Sequence, residues 1–327
     1  MTQLTASASH FRRGRLAPTP TGLLHVGHAR TFALAAERAG TAGLVMRIED
    51  LDGPRCRPEY AAAALDDLRW LGLDWSEGPD VGGGHAPYVQ SERAAWYLEI
   101  WRRLEATGLI YPSPHSRRDV EAAATAPHEP DEKGDIPLFP TASTGTALTS
   151  GAGLNASPKR GMSPFSCEPI FPPALRPAQR ERAGEPGGFP WRFRVPDGRV
   201  IEFQDGLCGS VRRTAGLDFG DFVVWRRDDL AAYELAVVAD DHAMEIDEVV
   251  RGADLLTSTA RQLLLYEALG WTPPAFAHAP LVCDTSGRRL AKRTGGLAIR
   301  DLRAAGWSPA EVLTRSLPAD GAAESVG

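Results

Sequence analysis

The sequence predicts an α/β protein with a Rossmann-like parallel sheet. Strand and helix patterns alternate along the chain, and a turn rich in proline and glycine joins one strand to a helix, as phosphate-binding turns do. The 327 residues, of which 43% are hydrophobic, are enough for a large core and for two or three domains.

Strand patterns occur on both sides of a long irregular segment, at 43–48, 191–195, 200–203 and 222–226. The Asp197-Gly198 pair lies between two of them and predicts a hairpin, because this dipeptide favours the tight turns that join antiparallel strands. The irregular segment, 125–168, is rich in Pro, Ala, Ser, Thr and Gly and has no periodicity, so we predict a disordered loop there.

Helical patterns have recognisable starts and ends, over 29–40, 58–71, 91–108, 259–270 and 306–317. In the third of these, Trp96, Ile100 and Leu104 fall on one face. The fourth ends at Gly270, and the last begins with Ser308 as N-cap ahead of a proline in the first turn.

The strand-to-helix turn near the start of the chain carries the strongest functional signal, with the sequence RLAPTPTGLLHVGH over 15–28. The N-terminus of a helix presents unpaired N–H groups and a positive dipole end, which together favour phosphate. His25 and His28 are three residues apart, so they share one side of the first turn and can stabilise charge on a departing pyrophosphate. Gly27 between them lets a nucleotide approach the backbone closely.

Four segments, in order, resemble the motifs of the glutamyl-tRNA synthetases and their short paralogues, the glutamyl-Q tRNA(Asp) synthetases. Both groups are ligases of the class I aminoacyl-tRNA synthetase type, and HVGH corresponds to their HIGH motif. The segments are RLAPTPTGLLHVGHAR at 15–30, RIEDLD at 47–52, YELAVVADDH at 233–242 with VRGADLL at 250–256, and RLAKR at 289–293. The last stands where the family has its KMSKS loop.

The resemblance covers about 12–110 and 190–305, and it implies a domain organisation. A discontinuous Rossmann-like catalytic domain is expected over 12–110 and 190–258. A smaller α/β domain is inserted over 111–189. A helical region over 259–327 carries the KMSKS-like loop and forms a short extension, with no anticodon-binding domain.

A glutamate pocket is implied by the same resemblance, and the residue types suit that substrate. Glutamate brings two carboxylates and one ammonium, so two arginines and one carboxylate are the minimum complementary set. Arg15 is assigned to the side-chain carboxylate, Arg251 to the main-chain carboxylate and Glu49 to the ammonium. The remaining expected contacts are Ala17, Thr19 and Tyr233.

Each of these residues has a plainer interpretation when it is considered alone. Glu49 could form a surface ion pair with Arg47, and Tyr233 could be an ordinary core aromatic. The motif context favours the substrate-binding interpretation for both.

Lys292 occupies the KMSKS position in a chain that has only two other lysines. A compact, mobile ammonium suits contact with phosphates during transfer. The motif is degenerate, with Arg289, Ala291 and Arg293 in place of a lysine and two serines. We expect the loop to function, with slower adenylate formation.

The motifs imply a two-step reaction that uses L-glutamate and ATP. The carboxylate of glutamate attacks the α-phosphate of Mg-ATP without help from tRNA, and a tRNA nucleophile then takes the glutamyl group. No side-chain nucleophile is needed, because the protein supplies orientation and charge stabilisation. Mg²⁺ enters as part of the ATP complex, held mainly by phosphates and water. The expected catalytic residues are His25, His28 and Lys292, and ATP binding adds Gly27.

Chain length separates the candidate acceptors. Full glutamyl-tRNA synthetases continue beyond the KMSKS loop into a helical anticodon-binding region, whereas only 34 residues follow Arg293 here. The short paralogues instead bring the anticodon loop of tRNA(Asp) to the catalytic domain and glutamylate queuosine at the wobble position. The alternatives are a truncated synthetase that charges tRNA(Glu) and a paralogue that has lost or changed its acceptor.

Composition favours a cytoplasmic protein, expected to be a monomer. The four cysteines are scattered without CxxC spacing, which suits a reducing compartment. There is no signal-peptide pattern at the start and no apolar run near the roughly 20 residues of a membrane helix, so no membrane association is expected. The net charge of −6 does not indicate nucleic-acid binding, although local arginine pairs leave it open.

The insert departs from its relatives at the zinc-ligand positions. Many short paralogues hold zinc with a CxC pair, a tyrosine and a later cysteine. These positions hold Ser113, His115, Phe171 and Leu175. Leucine and phenylalanine cannot ligate zinc and serine is a poor ligand, so we predict no structural zinc. Substitute ligands from His115, His128 and Cys167 are the alternative.

Overall fold

The structure is a computed structural model that describes residues 12–40, 43–116, 118–120, 123, 170–178, 183–281 and 298–315. Its strands are β1 (Gly14–Leu16), β2 (Leu44–Met46), β3 (Ile110–Pro112), β4 (Trp191–Phe193), β5 (Val200–Asp205), β6 (Gly209–Thr214), β7 (Phe222–Trp225), β8 (Glu248–Gly252) and β9 (Ala275–Ala279). Its helices are α1 (Val26–Ala39), α2 (Pro58–Trp70), α3 (Ala94–Thr107), α4 (Tyr233–Ala243), α5 (Leu256–Leu269), α6 (Ile299–Ala304) and α7 (Pro309–Arg315).

Parallel strands bring the two halves of the chain together. β1 pairs with β2 and β8 pairs with β9, both in parallel register. The Arg13 carbonyl accepts from the Asp247 amide at 2.8 Å, and the Arg15 guanidinium donates to the Val250 carbonyl at 2.9 Å. β1 and β8 therefore lie side by side and run the same way, with α1 packed on both. The predicted Rossmann-like α/β architecture is confirmed.

A second sheet, in the order β3-β4-β7, is antiparallel, and β5 and β6 form an antiparallel pair beside β9. The predicted hairpin at Asp197-Gly198 is wrong, because β4 and β5 belong to different sheets. A turn is present there, closed by the Arg199 amide on the Pro196 carbonyl at 3.0 Å. β4 ends before Pro196, whose nitrogen has no hydrogen to donate to a neighbouring strand. The chain then runs beside the strand β6, where the Gly198 amide donates to the Ala215 carbonyl.

The predicted helices lie close to their expected bounds. α5 begins three residues before the predicted start and ends at Gly270, which adopts a left-handed conformation with φ of 69°. Before α7, the Ser308 hydroxyl accepts from the Glu311 amide at 3.3 Å, and the Glu311 carboxylate accepts from the Ser308 amide at 2.7 Å. Ser308 is thus the N-cap that the sequence predicted, and Glu311 completes a capping box that was not predicted. Within the described residues, no helix is long and apolar enough to cross a membrane.

Several expectations fall on residues without a described structure. The predicted disordered loop 125–168 and the end of the chain from 316 lie outside the described residues. The division into domains therefore stays a prediction.

Buried aromatic side chains dominate one part of the core. Trp101 of α3 meets Trp191 of β4 edge-on, with ring centroids 4.8 Å apart, and Trp225 of β7 lies beside them. A second cluster joins β1 and β2 to the C-terminal helices through Leu16, Met46 and other apolar side chains. Burial of this surface stabilises the sheets and fixes the strand ends where the polar residues of the cavity lie.

The carboxylate of Asp221, next to β7, accepts several hydrogen bonds that hold residues of the predicted insert against the second sheet. Asp221, which is buried, accepts from the Tyr111 hydroxyl at 2.5 Å, from two nitrogens of Arg176 at 2.7 and 2.8 Å, and from the Val195 amide at 2.9 Å. Burial raises the pKa of Tyr111 well above its ordinary value, and the neighbouring Asp221 raises it further. The phenol therefore stays a donor to this carboxylate.

We predict that Asp221→Ala lowers the free energy of unfolding by about 1–3 kcal/mol, because the buried Tyr111 hydroxyl and Val195 amide lose their acceptor, while Arg176 keeps its ion pair with Asp197. Urea denaturation would measure the change. Glu202→Ala is a suitable control, since Glu202 is exposed and its ion pair with Arg212 spans 3.6 Å, so it should leave stability almost unchanged. Equal stability of the two variants would contradict this role for Asp221.

Candidate active site

A cavity of about 710 Å³ opens where β1 and β8 end, and it collects most of the predicted site. Nine of the predicted residues line it: Arg15, Ala17, Thr19, His25, Gly27, His28, Glu49, Tyr233 and Arg251. The tenth, Lys292, lies outside the described residues. The structure thus brings together residues from three of the four sequence motifs, while their chemical roles remain predictions.

The two histidines cap α1 and brace each other. The His25 ring accepts from the Gly27 amide at 3.0 Å, and the His28 ring accepts from the His25 amide at 3.2 Å. The rings stack with centroids 3.8 Å apart and 25° between their planes. Both hydrogen bonds use Nδ1 as the acceptor, so a neutral ring carries its proton on Nε2. The helix start thereby offers the cavity two oriented imidazoles.

Gly27 is required by the position of the His25 ring. A Cβ added at Gly27 would lie 2.9 Å from Cε1 and 3.1 Å from Nδ1 of His25. Because the Gly27 amide itself holds that ring, a side chain here would displace the histidine. Gly27 is therefore needed to keep His25 in place, in addition to its expected role of letting a nucleotide approach the backbone.

Arg47 is a buried structural cation between the end of β2 and α4. Its guanidinium donates to Asp241 at 2.7 Å and to Glu49 at 2.9 Å, and its Nε lies 3.7 Å from Asp240. Burial acts to lower the pKa of Arg47, but Asp241, Glu49 and Asp240 together raise it well above its ordinary value. The pair of Arg47 and Glu49 is therefore buried and is not a surface ion pair.

Glu49 is positioned by this contact and by its backbone. Its amide donates to the Pro18 carbonyl at 3.0 Å, which sets it across from Ala17 and Thr19. Burial raises the pKa of Glu49, while Arg47 and Arg15 act in the opposite direction. An ammonium group is the partner that such a partly compensated carboxylate would bind best.

Arg15 shares Asp241 with Arg47. Its Nη1 donates to the Val250 carbonyl at 2.9 Å, and its Nε lies 3.4 Å from Asp241. That Nε is buried and makes no hydrogen bond among the described residues. Burial lowers the pKa of Arg15, and Asp241 opposes this effect. An anion in the cavity would therefore be stabilised by this guanidinium.

Arg251 faces the same cavity from β8. Its Nη1 lies 3.4 Å from the Tyr233 hydroxyl, and its Nη2 donates to Thr259 at 2.7 Å and to Gln262 at 2.8 Å. Burial raises the pKa of Tyr233 to about 12, with Arg251 opposing, so the phenol is neutral. Tyr233 is thus a cavity residue and is not only part of the core.

Sequence reasoning assigned no role to several residues that position the site. Asp241 lies within a quoted motif, but its contact with two arginines is a tertiary feature. Thr259, Gln262 and His278 surround Arg251. Gln90 and Arg226 also line the cavity. No spacing pattern in the sequence marks any of them.

Two of the four positions compared above with zinc ligands, Phe171 and Leu175, lie in an apolar cluster. Phe171 packs with Tyr111 and Val120, and Leu175 lies against them. Ser113 is buried, with its amide on the Pro190 carbonyl at 2.8 Å. Among the described residues, no group of three or more His, Cys, Asp or Glu could hold a metal. His128 and Cys167 lie outside those residues, so the absence of zinc stays a prediction.

Comparison with known proteins identifies the family. The family model described as tRNA synthetases class I (E and Q), catalytic domain, matches residues 13–129 and 175–318. The chain belongs to this family. It is 45% identical to the glutamyl-Q tRNA(Asp) synthetase of Symbiobacterium thermophilum over 302 residues, which are 92% of this chain and 84% of that protein. It is 44% identical to the protein of that name from Nitratidesulfovibrio vulgaris, over 92% of this chain and 83% of the relative.

A solved structure agrees with this assignment. The crystal structure of glutamate-tRNA synthetase from Elizabethkingia anophelis matches 90% of this chain with a TM-score of 0.62 and 27% identity. The match covers 54% of that longer chain. The resemblance inferred from the motifs is therefore confirmed, and ATP is the nucleotide that this family of tRNA synthetases uses.

In this class I synthetase, we predict that Gly27→Ala reduces ATP–pyrophosphate exchange by about 10²–10³-fold, because it displaces His25, the expected donor to the phosphates. Gly84→Ala is the matched control, since a Cβ there meets nothing within 4 Å. Both variants should melt close to the wild type. Exchange at the wild-type rate by Gly27→Ala would contradict the proposed placement of His25.

Proposed function

We propose that this protein activates L-glutamate with ATP, without tRNA, and transfers the glutamyl group to queuosine at the wobble position of tRNA(Asp). The observation that carries the proposal is the convergence of Arg15, Arg251 and Glu49 on one cavity beside the paired histidines of α1. Two cations and one anion complement the three charged groups of glutamate. Ala17 and Thr19 complete the wall of the pocket.

In the activation step, the protein orients two reactants and stabilises charge. Arg15 takes the side-chain carboxylate, Glu49 takes the ammonium, and Arg251 and Tyr233 fix the carboxylate that attacks the α-phosphate. These contacts convert a bimolecular encounter into a reaction between aligned groups.

The phosphates of Mg-ATP would lie at the start of α1. Gly27 permits close approach there, and the Nε2–H groups of His25 and His28 stabilise charge that develops on pyrophosphate. Lys292 would add a mobile ammonium. The nearest described residues on either side of Lys292 support this, because Leu281 lines the cavity and Ala298 forms a β-bridge with His25. The metal belongs to the ATP complex, with phosphates and water as its main ligands.

The acceptor is inferred from similarity. The chain is 45% and 44% identical to two relatives named glutamyl-Q tRNA(Asp) synthetase, and 27% identical to the glutamate-tRNA synthetase of known structure. A truncated glutamyl-tRNA synthetase that charges tRNA(Glu) is the second candidate, favoured by the similarity of the catalytic region to that longer enzyme.

The acceptor is tested by transfer of labelled glutamate to tRNA from queuosine-containing and queuosine-deficient cells. We expect label only on queuosine-containing tRNA, and we expect it to persist after the 3′-terminal adenosine is removed, because the nucleoside in the anticodon is the acceptor. Equal label on both preparations, lost with that adenosine, would support the truncated synthetase. No label on either would contradict both candidates.

The raised pKa of Glu49 predicts the pH dependence of glutamate use. Only the ionised carboxylate attracts an ammonium, and burial makes Glu49 take up its proton at a higher pH than an ordinary glutamate. As the pH falls, kcat/KM for glutamate should therefore decline before ordinary carboxyls titrate, since this parameter reports the free enzyme.

The pH profile of exchange would measure the acidic decline of kcat/KM in the wild type. Glu49→Gln should have a low kcat/KM that does not change with pH over the same range. Glu99→Gln is the control, because Glu99 lies in an exposed ion pair with Arg103. A Glu49→Gln profile that keeps the wild-type decline would contradict the assignment.

A further inference from the structure

Arg251 is a buried cation whose contacts are all with neutral groups. It is 5% exposed, and its Nε lies 3.3 Å from Nε2 of His278. Its other contacts are the hydroxyls of Tyr233 and Thr259 and the amide oxygen of Gln262. In the part of the chain that the structure describes, no carboxylate contacts this guanidinium. The positive charge is therefore fixed in place and remains uncompensated by a direct ion pair.

Two carboxylates lie near Arg251 but are each separated from it by one intervening side chain. Asp205 lies 2.6 Å from Nδ1 of His278, and Glu234 accepts from the Gln262 amide at 2.9 Å. Each carboxylate thus orients a neutral side chain, which in turn orients Arg251. A carboxylate in direct contact would hold the guanidinium equally well but would compete with a carboxylate ligand.

The hydrogen-bond network assigns one tautomer to His278. Burial and the charge of Arg251 lower the pKa of His278 to about 4, against the opposing effect of Asp205, so the ring is neutral near neutral pH. Asp205 only accepts, so Nδ1 carries the proton. Nε2 then presents its lone pair to the Nε–H of Arg251 at 3.3 Å and to the Thr259 hydroxyl at 2.9 Å.

We propose that Asp205 and His278 form a positioning pair that prepares Arg251 for the attacking carboxylate of the amino-acid substrate. Asp205 fixes the tautomer of His278, and His278 orients the guanidinium without neutralising it. The inference rests on the proposed function in one respect, namely that the carboxylate bound by Arg251 belongs to glutamate. Neither residue touches the substrate, so both act through the arginine.

Asp205→Asn should change the tautomer of His278 while it keeps the other hydrogen bonds of residue 205. Oδ1 of Asp205 accepts from the amides of Leu207, Cys208 and His278 at 3.0, 2.8 and 3.1 Å. The amide oxygen of asparagine must take this position, so its NH₂ group points at Nδ1 of the imidazole. His278 then carries its proton on Nε2, where it faces the Nε–H of Arg251. Thr259 can accept the new proton, but Arg251 loses its acceptor.

For Asp205→Asn, KM for glutamate in ATP–pyrophosphate exchange should rise by roughly 10- to 100-fold, the effect of one lost hydrogen bond to a charged group. KM for ATP should change little, because the phosphate site is untouched. Glu77→Gln is the matched control, since Glu77 also pairs with a histidine, His85 at 2.9 Å, but lies outside the cavity. An unchanged KM for glutamate in Asp205→Asn would overturn the proposal.

A double variant separates positioning from a purely structural role. His278→Leu removes the acceptor of Arg251 and should raise KM for glutamate by a similar factor. Adding Asp205→Asn to it should have no further effect on KM, because the carboxylate acts through the imidazole. Multiplied effects in the double variant would mean that Asp205 acts by another route, and would overturn the pair.

The tautomer is also measurable in the wild-type protein. After labelling of the eight histidines with ¹⁵N, and assignment by the signal lost in His278→Leu, Nδ1 of His278 should resonate as protonated and Nε2 as unprotonated. Asp205→Asn should exchange the two shifts. Protonated Nε2 in the wild type would overturn the positioning pair whatever the activity. Absence of glutamate-dependent exchange in the wild type would instead overturn the proposed function and the substrate named here.

Discussion

The buried carboxylate of Asp241 holds the candidate site together. It accepts from Arg47 at 2.7 Å and lies 3.4 Å from Nε of Arg15. These contacts join α4 to the ends of β1 and β2, which are distant in sequence. Arg47 in turn holds Glu49, so the positions of both a cation and an anion of the pocket depend on this one carboxylate. Removing one partner of a buried ionic cluster leaves charges unpaired, so the site and the stability of the sheet are coupled.

The buried arginines divide into two kinds by their neighbours. Arg47 contacts carboxylates directly, and Arg93 donates to Asp240 at 2.7 Å, so both are compensated within the protein. Arg251 contacts neutral side chains, and Arg15 only shares a carboxylate that Arg47 already engages. A buried cation without a full partner is costly, so a bound carboxylate would stabilise Arg15 and Arg251. The same cluster therefore contains cations that support the fold and cations that can bind the substrate.

Local sequence patterns predicted the architecture and most helix bounds, because these depend on periodicity. The nine cavity residues were predicted mainly by the resemblance of their motifs to those of a known family. The hairpin at Asp197-Gly198 was wrong, since a turn signal does not specify which sheet the next strand joins. Asp205 and His278 were missed for a related reason: they are 73 residues apart, and only the pairing of β5 with β9 brings them together. Long-range polar contacts of this kind leave no periodic signal.

We propose that two incompletely compensated arginines, Arg15 and Arg251, select an amino acid with two carboxylates. ATP–pyrophosphate exchange without tRNA, measured with L-glutamate and with L-glutamine, tests it most directly. Glutamine has the same shape but a neutral side chain, so it leaves one buried arginine without an anion. The account predicts exchange with glutamate and at least about 10²-fold lower kcat/KM with glutamine. Equal exchange with both amino acids, or exchange with glutamine alone, would contradict it.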